Sequence, residues 1–222
     1  MTSCDDVRLA ELLCARLCHD LAGPVGAASA GAELFEDADA DLPDGETLAL
    51  VAASAAGAAA RLKFFRAAFG PPASAPQSAP AIRELVESYL RTAVSGASNG
   101  IGLDWRLDGA PLDGDLARLL INLALVAKDA LPRGGRVTVA GSASGLAVTA
   151  RGEPTELAEE ARAVLIDGAL PSGPRGAQAQ FTRIIAAARG TPVAVASTPA
   201  ELSLTAGYTP APSEGGGSPS DG

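Results

Sequence analysis

A proline-rich stretch divides this sequence into two units. Residues 70–80 contain four prolines. Proline has a fixed φ and lacks a backbone N–H, so such a stretch excludes a regular helix or sheet strand. Residues 71–80 are therefore predicted as a linker between an N-terminal unit, residues 1–70, and a C-terminal unit, residues 81–210. The tail, residues 211–222, is predicted to be disordered because it is rich in glycine and serine.

The N-terminal unit has the hydrophobic spacing of two helices. Leucines recur every four residues from Leu9 to Leu21, which predicts a helix over residues 7–36. Pro24 lies inside this helix and removes one backbone hydrogen bond, so a kink is expected there. Apolar residues follow a three-four spacing over residues 46–69, which predicts a second helix.

A short acidic turn, residues 37–45, joins the two helices, and Asp44 is the candidate N-cap of the second. Two helices joined in this way form an antiparallel hairpin. A lone hairpin buries only part of its apolar surface, and a second copy would complete a four-helix bundle. The sequence therefore predicts a homodimer that associates through residues 7–69.

The C-terminal unit alternates between helical and strand patterns. The order of elements predicts an antiparallel or mixed sheet with helices on one face, so the fold class of the chain is α+β. Helices are expected over residues 82–98, 113–131, 155–167 and 177–189, and strands over residues 101–107, 136–141, 146–150, 193–197 and 201–206.

Charge and hydropathy narrow the classes of partner. The formal net charge is −9 and no basic run occurs, so nucleic acid and anionic membrane surfaces are poor partners. No uncharged apolar stretch reaches about 18 residues, and the N-terminus lacks the pattern of a signal peptide. A cytoplasmic protein without a membrane span is therefore expected.

The three cysteines of the chain are expected to be free thiols in a reducing cytosol. Cys14, Cys18 and His19 lie close in sequence, but a zinc site would need a fourth ligand nearby. The same spacing is one residue too long for haem attachment, and the chain lacks an export signal. No metal or cofactor is therefore expected here.

The only histidine of the chain, His19, is the candidate reactive residue. It is followed directly by Asp20 and, five residues on, by Pro24, which resembles the phosphoacceptor box of two-component signalling proteins. Leu17 and Leu21 face the core, so His19 should point to solvent. A neutral imidazole is available as a nucleophile at cytosolic pH. The alternative is a surface histidine without a chemical role.

The neighbours of His19 have candidate roles as well. Asp20 is expected to accept a hydrogen bond from the imidazole and orient it, unless it is only a surface charge. Arg16, one turn earlier, could pair with Asp20, approach the phosphoryl oxygens or remain solvated. Small and apolar residues further along the helix form either a docking surface for a receiver helix or part of the bundle core. These residues are Ala27, Ala30, Gly31 and Leu34.

The two units together resemble those of a histidine kinase. The hairpin is similar to the dimerisation and phosphotransfer domain, and the second unit is similar to the ATP-binding α/β sandwich of the Bergerat or GHKL type. Residues 119–125 resemble the helix that carries the kinase asparagine box, and residues 146–152 resemble the strand that enters the first glycine box. Residues 176–190 and the strands after them resemble the closing helix and hairpin.

The residues for nucleotide chemistry are missing from this pattern. Val126 stands where the kinase box has its magnesium-binding asparagine, Ala150 where the adenine-binding aspartate stands, and Pro154 where a glycine stands. The glycine-rich lid is reduced to Gly173 and Gly176. Without these ligands we expect no ATP binding, and the second unit is interpreted as a scaffold.

A histidine box on a hairpin, joined to such a domain, resembles the ChpT family of alphaproteobacterial histidine phosphotransferases over residues 7–207. The resemblance implies a phosphorelay protein that accepts a phosphoryl group on His19 from the receiver aspartate of a hybrid kinase and passes it to response-regulator receivers. The receiver is expected to supply Mg²⁺. Two alternatives are an ATP-dependent histidine kinase and a non-catalytic dimeric adaptor that binds receivers. The sequence leaves open which imidazole nitrogen reacts.

Overall fold

A computed structural model of the chain describes residues 3–36, 45–92, 100–107, 109–142 and 144–207. These ranges contain six helices and five strands, in the order that the sequence predicts. The helices are α1 (Ser3–Glu36), α2 (Gly45–Phe69), α3 (Ala79–Thr92), α4 (Gly114–Asp129), α5 (Glu159–Leu165) and α6 (Pro174–Ala188). The strands are β1 (Ile101–Leu107), β2 (Gly135–Ser142), β3 (Gly145–Arg151), β4 (Val193–Thr198) and β5 (Glu201–Ala206).

Three predictions lie outside the described residues. They concern the acidic turn with Asp44, the end of the helix expected to run to residue 98, and the tail at residues 211–222.

The first helix, α1, continues past Pro24 and rests on the second unit. Leu9 and Leu12 are buried against Ala177 of α6. Leu17 packs on the main core one turn further along. The leucine repeat of the sequence therefore faces the C-terminal unit over the first half of α1.

The main hydrophobic core crosses the boundary that the sequence predicts near residue 70. Phe64, Phe65 and Ala68, in the last turns of α2, are buried in the same cluster as the helices and strands of the second unit. The ring of Phe64 stacks on that of Tyr89 in α3, with 3.9 Å between ring centroids and an angle of 13° between the planes. The end of α2 therefore packs as part of the second unit.

The proline-rich segment is also tied to the second unit. Gln77 and Leu112 exchange two backbone hydrogen bonds, of 2.8 and 2.9 Å, in an isolated β-bridge. Helix α3 begins at Ala79, before Pro80, because proline is tolerated in a first helical turn where its missing N–H has no partner to lose.

The five strands form one mixed sheet in the order β1-β2-β3-β5-β4. Strands β1 and β2 are parallel, and the remaining neighbours are antiparallel. Alternate residues of β3, namely Leu146, Val148 and Ala150, are fully buried in the core that the helices share. The α+β fold class predicted from the order of elements is confirmed.

Two helices of the second unit differ in length from the prediction. Helix α5 begins only at Glu159, four residues after the predicted start. Helix α6 begins earlier than predicted, at Pro174, because proline at the first helical position has a φ already suited to a helix. Pro174, at the start of α6, lines a cavity together with Arg16 and His19.

Helix α2 is long and apolar enough to cross a membrane by length and composition alone. A single helix of this kind is weak support for a span, since helices of soluble proteins pass the same test. The uncharged run, residues 47–60, is also shorter than the roughly 18–20 residues that a bilayer requires. The end of α2 is instead buried in the protein's own core.

Candidate functional site

The imidazole of His19 projects from α1 into solvent. Its side chain is 88% exposed. Leu17 and Leu21, two residues away on either side, are partly buried because they lie on the opposite face of the helix. The orientation predicted for His19 is confirmed.

Asp20 holds one of the two ring nitrogens of His19. The Nδ1 atom lies 3.1 Å from Oδ1 of Asp20. An ionised carboxylate only accepts hydrogen bonds, so this contact favours the tautomer with its proton on Nδ1. The lone pair then resides on Nε2.

Arg16 does not project into solvent. Its side chain is only 5% exposed, and Nη2 donates to Oδ2 of Asp129 at 2.5 Å, from α1 to the end of α4. Its Nε lies 3.7 Å from Oδ2 of Asp20. Of the expected roles, pairing with Asp20 is present as a longer contact. The expectation that Arg16 approaches the phosphoryl oxygens is wrong, because Asp129 and burial hold the guanidinium inside the protein.

Burial and neighbouring charges shift the pKa values of Arg16 and Asp129 in opposite directions. Burial lowers the pKa of Arg16, but Asp129, Tyr89 and Asp20 together outweigh it, so that the pKa of Arg16 is raised. Burial raises the pKa of Asp129, but Arg16 and then Lys128 outweigh it and hold that pKa below its ordinary value. Lys128 Nζ lies 3.1 Å from Oδ1 of Asp129. Arg16 and Asp129 are therefore both charged at neutral pH.

A groove of about 650 Å³ opens beside His19, between the hairpin and helices α3 and α4. The hairpin side of the groove includes His19 and Asp20, and the opposite side includes Tyr89 and Lys128. Arg61 also lines the groove and donates a hydrogen bond to the carbonyl of Thr92, which ties α2 to α3.

The cationic side chains in this groove come from three helices. They are Arg61 of α2, Arg91 of α3 and Lys128 of α4. Together they give the groove an excess of positive charge although the chain as a whole is acidic. An anionic group bound near His19 would meet a favourable field.

The proposed docking residues do not all share one surface. Ala27 lines the groove, and Ala30 and Leu34 are exposed. Gly31 is buried, and a Cβ at that position would collide with Cγ2 of Val51 in α2. Of the two alternatives for Gly31, the docking surface is wrong and a place between packed helices is what the structure shows, because the glycine lets the two hairpin helices approach closely.

Two positions where the kinase pattern would have nucleotide or magnesium ligands lie in the packed core. Val126 and Ala150 are both buried there. A cavity between α4 and α6 is lined by Val126, Asp129 and Gln178 and has a volume of about 10 Å³. A space of that size holds at most about one water molecule.

Asn122, in the helix that resembles the kinase asparagine box, has a structural role here. Its Nδ2 donates to the carbonyl of Ala68 in α2 at 2.9 Å and to that of Arg118 at 2.8 Å. Its Oδ1 accepts from Nε2 of Gln178 at 2.7 Å. The buried amide therefore joins the end of α2 to α4 and α6.

Sequence reasoning missed Asp129, Lys128 and Tyr89 as parts of the site. Asp129 lies 113 residues from Arg16 in the chain, and no local pattern links the two. The one available signal is that α4, otherwise strongly apolar, ends on a lysine and an aspartate.

Metal ligation has no geometric support within the described part of the chain. No group of three or more His, Cys, Asp or Glu side chains is placed there to hold a metal ion. The three cysteines are all exposed free thiols.

Comparisons with known proteins point to one family. The family described as histidine phosphotransferase C-terminal domain matches residues 79–201. Over 211 residues the chain is 30% identical to protein phosphotransferase ChpT of Brucella abortus (strain 2308), which covers 89% of this chain and 94% of that protein. A solved structure of a bacterial phosphotransferase superposes with a TM-score of 0.74 at 27% identity, covering 93% of this chain and 97% of that one. The likeness extends over both the hairpin and the second unit.

Proposed function

Since this chain belongs to the ChpT-type histidine phosphotransferases and so acts in a phosphorelay, we propose that His19 is the residue that carries the phosphoryl group. The observation that supports this most is the exposed imidazole with Nδ1 held by Asp20. That geometry leaves Nε2 as the nucleophile, directed to solvent, where a partner can reach it.

The proposed reaction is a reversible exchange between His19 and a receiver aspartate. Nε2 attacks the phosphorus of the aspartyl phosphate, an N–P bond forms, and the P–O bond to the aspartate breaks. The aspartate leaves as a carboxylate. The proton stays on Nδ1, hydrogen-bonded to Asp20, and the carboxylate of Asp20 offsets the positive charge that develops on the ring. The same atoms, in reverse, load the next receiver.

The proposed partners are the receiver domain of a hybrid histidine kinase and the receivers of response regulators. A phosphorylated receiver is anionic at its reactive face, and the cationic groove beside His19 suits such a face. We expect the receiver to supply Mg²⁺, which needs several oxygen ligands of its own. We propose that the protein works in the cytoplasm, because its proposed receiver partners are expected there.

We propose that the second unit acts without ATP. The closed cavity beside Val126 and the buried Ala150 support this role. The rival function, an ATP-dependent kinase, requires that cavity to open. Calorimetric titration with ATP and Mg²⁺ tests the two: we expect no heat of binding, and micromolar affinity would favour the kinase.

We also propose a homodimer through the hairpin. Exposed leucines on α2 include Leu48, Leu50 and Leu62, and Val25 and Leu34 are exposed on α1. Burying each such side chain contributes about 1.5–3 kcal/mol. Light scattering should therefore give twice the 22.0 kDa mass of one chain. A particle with the mass of one chain would contradict the dimer.

The proposed role of His19 is tested with two receiver domains, one of them carrying radiolabelled aspartyl phosphate. Wild-type protein should move the label to the second receiver, and His19→Ala should move none. Arg8→Ala, on the exposed surface of the same helix, is the matched control and should transfer like the wild type. Label transfer through His19→Ala would refute the role of His19. Receiver binding by the wild type without transfer would favour the adaptor.

A further inference from the structure

Charged side chains form a continuous path from the second unit to the imidazole. Lys128 Nζ lies 3.1 Å from Asp129 Oδ1, and Asp129 Oδ2 lies 2.5 Å from Arg16 Nη2. Arg16 Nε lies 3.7 Å from Asp20 Oδ2. The last contact is the 3.1 Å hydrogen bond between Asp20 Oδ1 and His19 Nδ1. Signs alternate along the path, so each group attracts the next.

The inner part of this path is rigidly held. The side chains of Arg16 and Asp129 are 5% and 12% exposed. In such surroundings an ion pair interacts strongly, and removing one partner leaves a buried charge without compensation. The rotamer of Arg16 is therefore set by a residue of α4, although Arg16 itself lies on the helix of His19.

The outer part of the path depends on the inner part. Arg16 Nε has no hydrogen-bond partner, and it attracts the carboxylate of Asp20 by charge across 3.7 Å without forming a hydrogen bond to it. Asp20 keeps Oδ1 for His19. A stronger pull from Arg16 would draw the carboxylate toward the protein interior and away from Nδ1.

On the premise that His19 carries the phosphoryl group, we propose that Asp129 is a positioning residue for that histidine. Asp129 holds the guanidinium of Arg16 in the interior, so Arg16 does not draw Asp20 away, and Asp20 holds the proton on Nδ1 so that Nε2 stays free. The second unit thereby takes a direct part in phosphotransfer without nucleotide. Its contribution is a carboxylate that lies on α4, beside the closed cavity.

Loss of the negative charge at Asp129 has a defined consequence. The buried guanidinium of Arg16 would then have Asp20 as its remaining carboxylate and would pull it off Nδ1. The imidazole would be free to rotate and to carry its proton on Nε2. Transfer would slow because the nucleophilic lone pair is misplaced, while the docking surface for the receiver would stay as it was.

The first test uses Asp129→Asn and nitrogen NMR of the imidazole. The chain has one histidine, so ¹⁵N-histidine labelling of a protein without a histidine tag gives a single ring. We expect the spectrum to shift away from the Nδ1–H tautomer and the transfer rate to fall by about tenfold. The dissociation constant for the receiver should not change.

Asp113→Asn is the matched control, since it makes the same substitution at the opposite end of α4. Asp113 caps α4 through Leu116 N and pairs with Arg189, and asparagine preserves the cap while losing the ion pair. We expect the ¹⁵N spectrum and the transfer rate of this variant to match the wild type.

A second variant tests whether the guanidinium of Arg16, once unpaired, is what displaces Asp20. Arg16→Met combined with Asp129→Leu replaces the buried pair with apolar side chains of similar volume, which preserves packing between α1 and α4. No guanidinium remains to draw Asp20 off Nδ1, so we expect the melting temperature, the ¹⁵N spectrum and the transfer rate to stay near the wild-type values. A tautomer shift and slow transfer as large as in Asp129→Asn would show that the unpaired arginine is not the cause, and would overturn the proposal.

The proposal is also overturned if Asp129→Asn leaves both the ¹⁵N spectrum and the rate unchanged. A failure of the underlying function has a different signature. If the wild type carried no label on His19, the spectra of the variants would still report whether Asp129 controls the imidazole.

Discussion

Replacing Asn122 by alanine should weaken the junction between the hairpin and the second unit by about 2–4 kcal/mol. The substitution leaves the carbonyl of Ala68 and the Nε2 of Gln178 without their short hydrogen bonds of 2.9 and 2.7 Å. Each buried polar group that loses its partner costs about 1–3 kcal/mol. Each retains one contact at 3.4 Å, from Arg118 and to Thr182 respectively, so the lower part of the summed range applies.

Urea denaturation followed by circular dichroism measures this loss. Thermal unfolding gives a second measure. For a chain of this length, 1 kcal/mol shifts the melting temperature by about 2–4 °C, so the melting temperature should fall by between about 4 and 16 °C. The double variant Asn122→Ala/Gln178→Ala provides the control. Because it removes both members of one buried hydrogen bond, its loss should be smaller than the sum of the two single losses.

A loss below about 1 kcal/mol for Asn122→Ala would refute the reasoning. It would mean that water or Arg118 replaces the amide at Ala68, and that the aromatic packing of α2 alone holds the hairpin. Strict additivity in the double variant would show that Asn122 and Gln178 are not coupled, despite the 2.7 Å contact between them.

Two further predictions concern stability. Burial would raise the pKa of Asp129, but Arg16 and Lys128 hold that pKa below its ordinary value. The stability that the charged carboxylate contributes is therefore present above the ordinary carboxyl pKa of about 3.9. It is lost as the pH falls through the lower pKa of the folded state. Asp129→Asn should flatten that acid-side fall in urea unfolding measured across pH, and an unchanged slope would contradict the assignment. Gly31→Ala should destabilise by about 1–3 kcal/mol because its Cβ meets Val51, whereas Gly26→Ala, with open space around it, should not. Equal melting temperatures of the two glycine variants would count against the close helix contact.

The central helix of the second unit, α4, contacts three different parts of the protein. In α4, Val126 is part of the packed core, Asn122 bonds to the backbone of α2, and Asp129 pairs with α1. These contacts support the proposal that the second unit orients His19 on α1.

The sequence by itself determined the elements and the direction of His19. A leucine repeat is a local property of one helix, so the face opposite Leu17 and Leu21 could be located without a partner helix. The order of helical and strand patterns likewise sufficed for the α+β class. Proline at residues 71–80 marked the end of the second helix within a few residues.

Only the tertiary structure decided which charges and surfaces meet. The sequence left open whether Arg16 is solvated or paired and whether Gly31 belongs to a docking surface or to the bundle core. Both are buried by elements that lie far along the chain or across the hairpin. Asp129 is 113 residues from Arg16, and the two can pair only because α1 packs close to the end of α4. The spacing of residues along the chain determines which face of a helix is apolar. A buried ion pair, in contrast, forms only when packing brings two distant charges together in a low-dielectric environment.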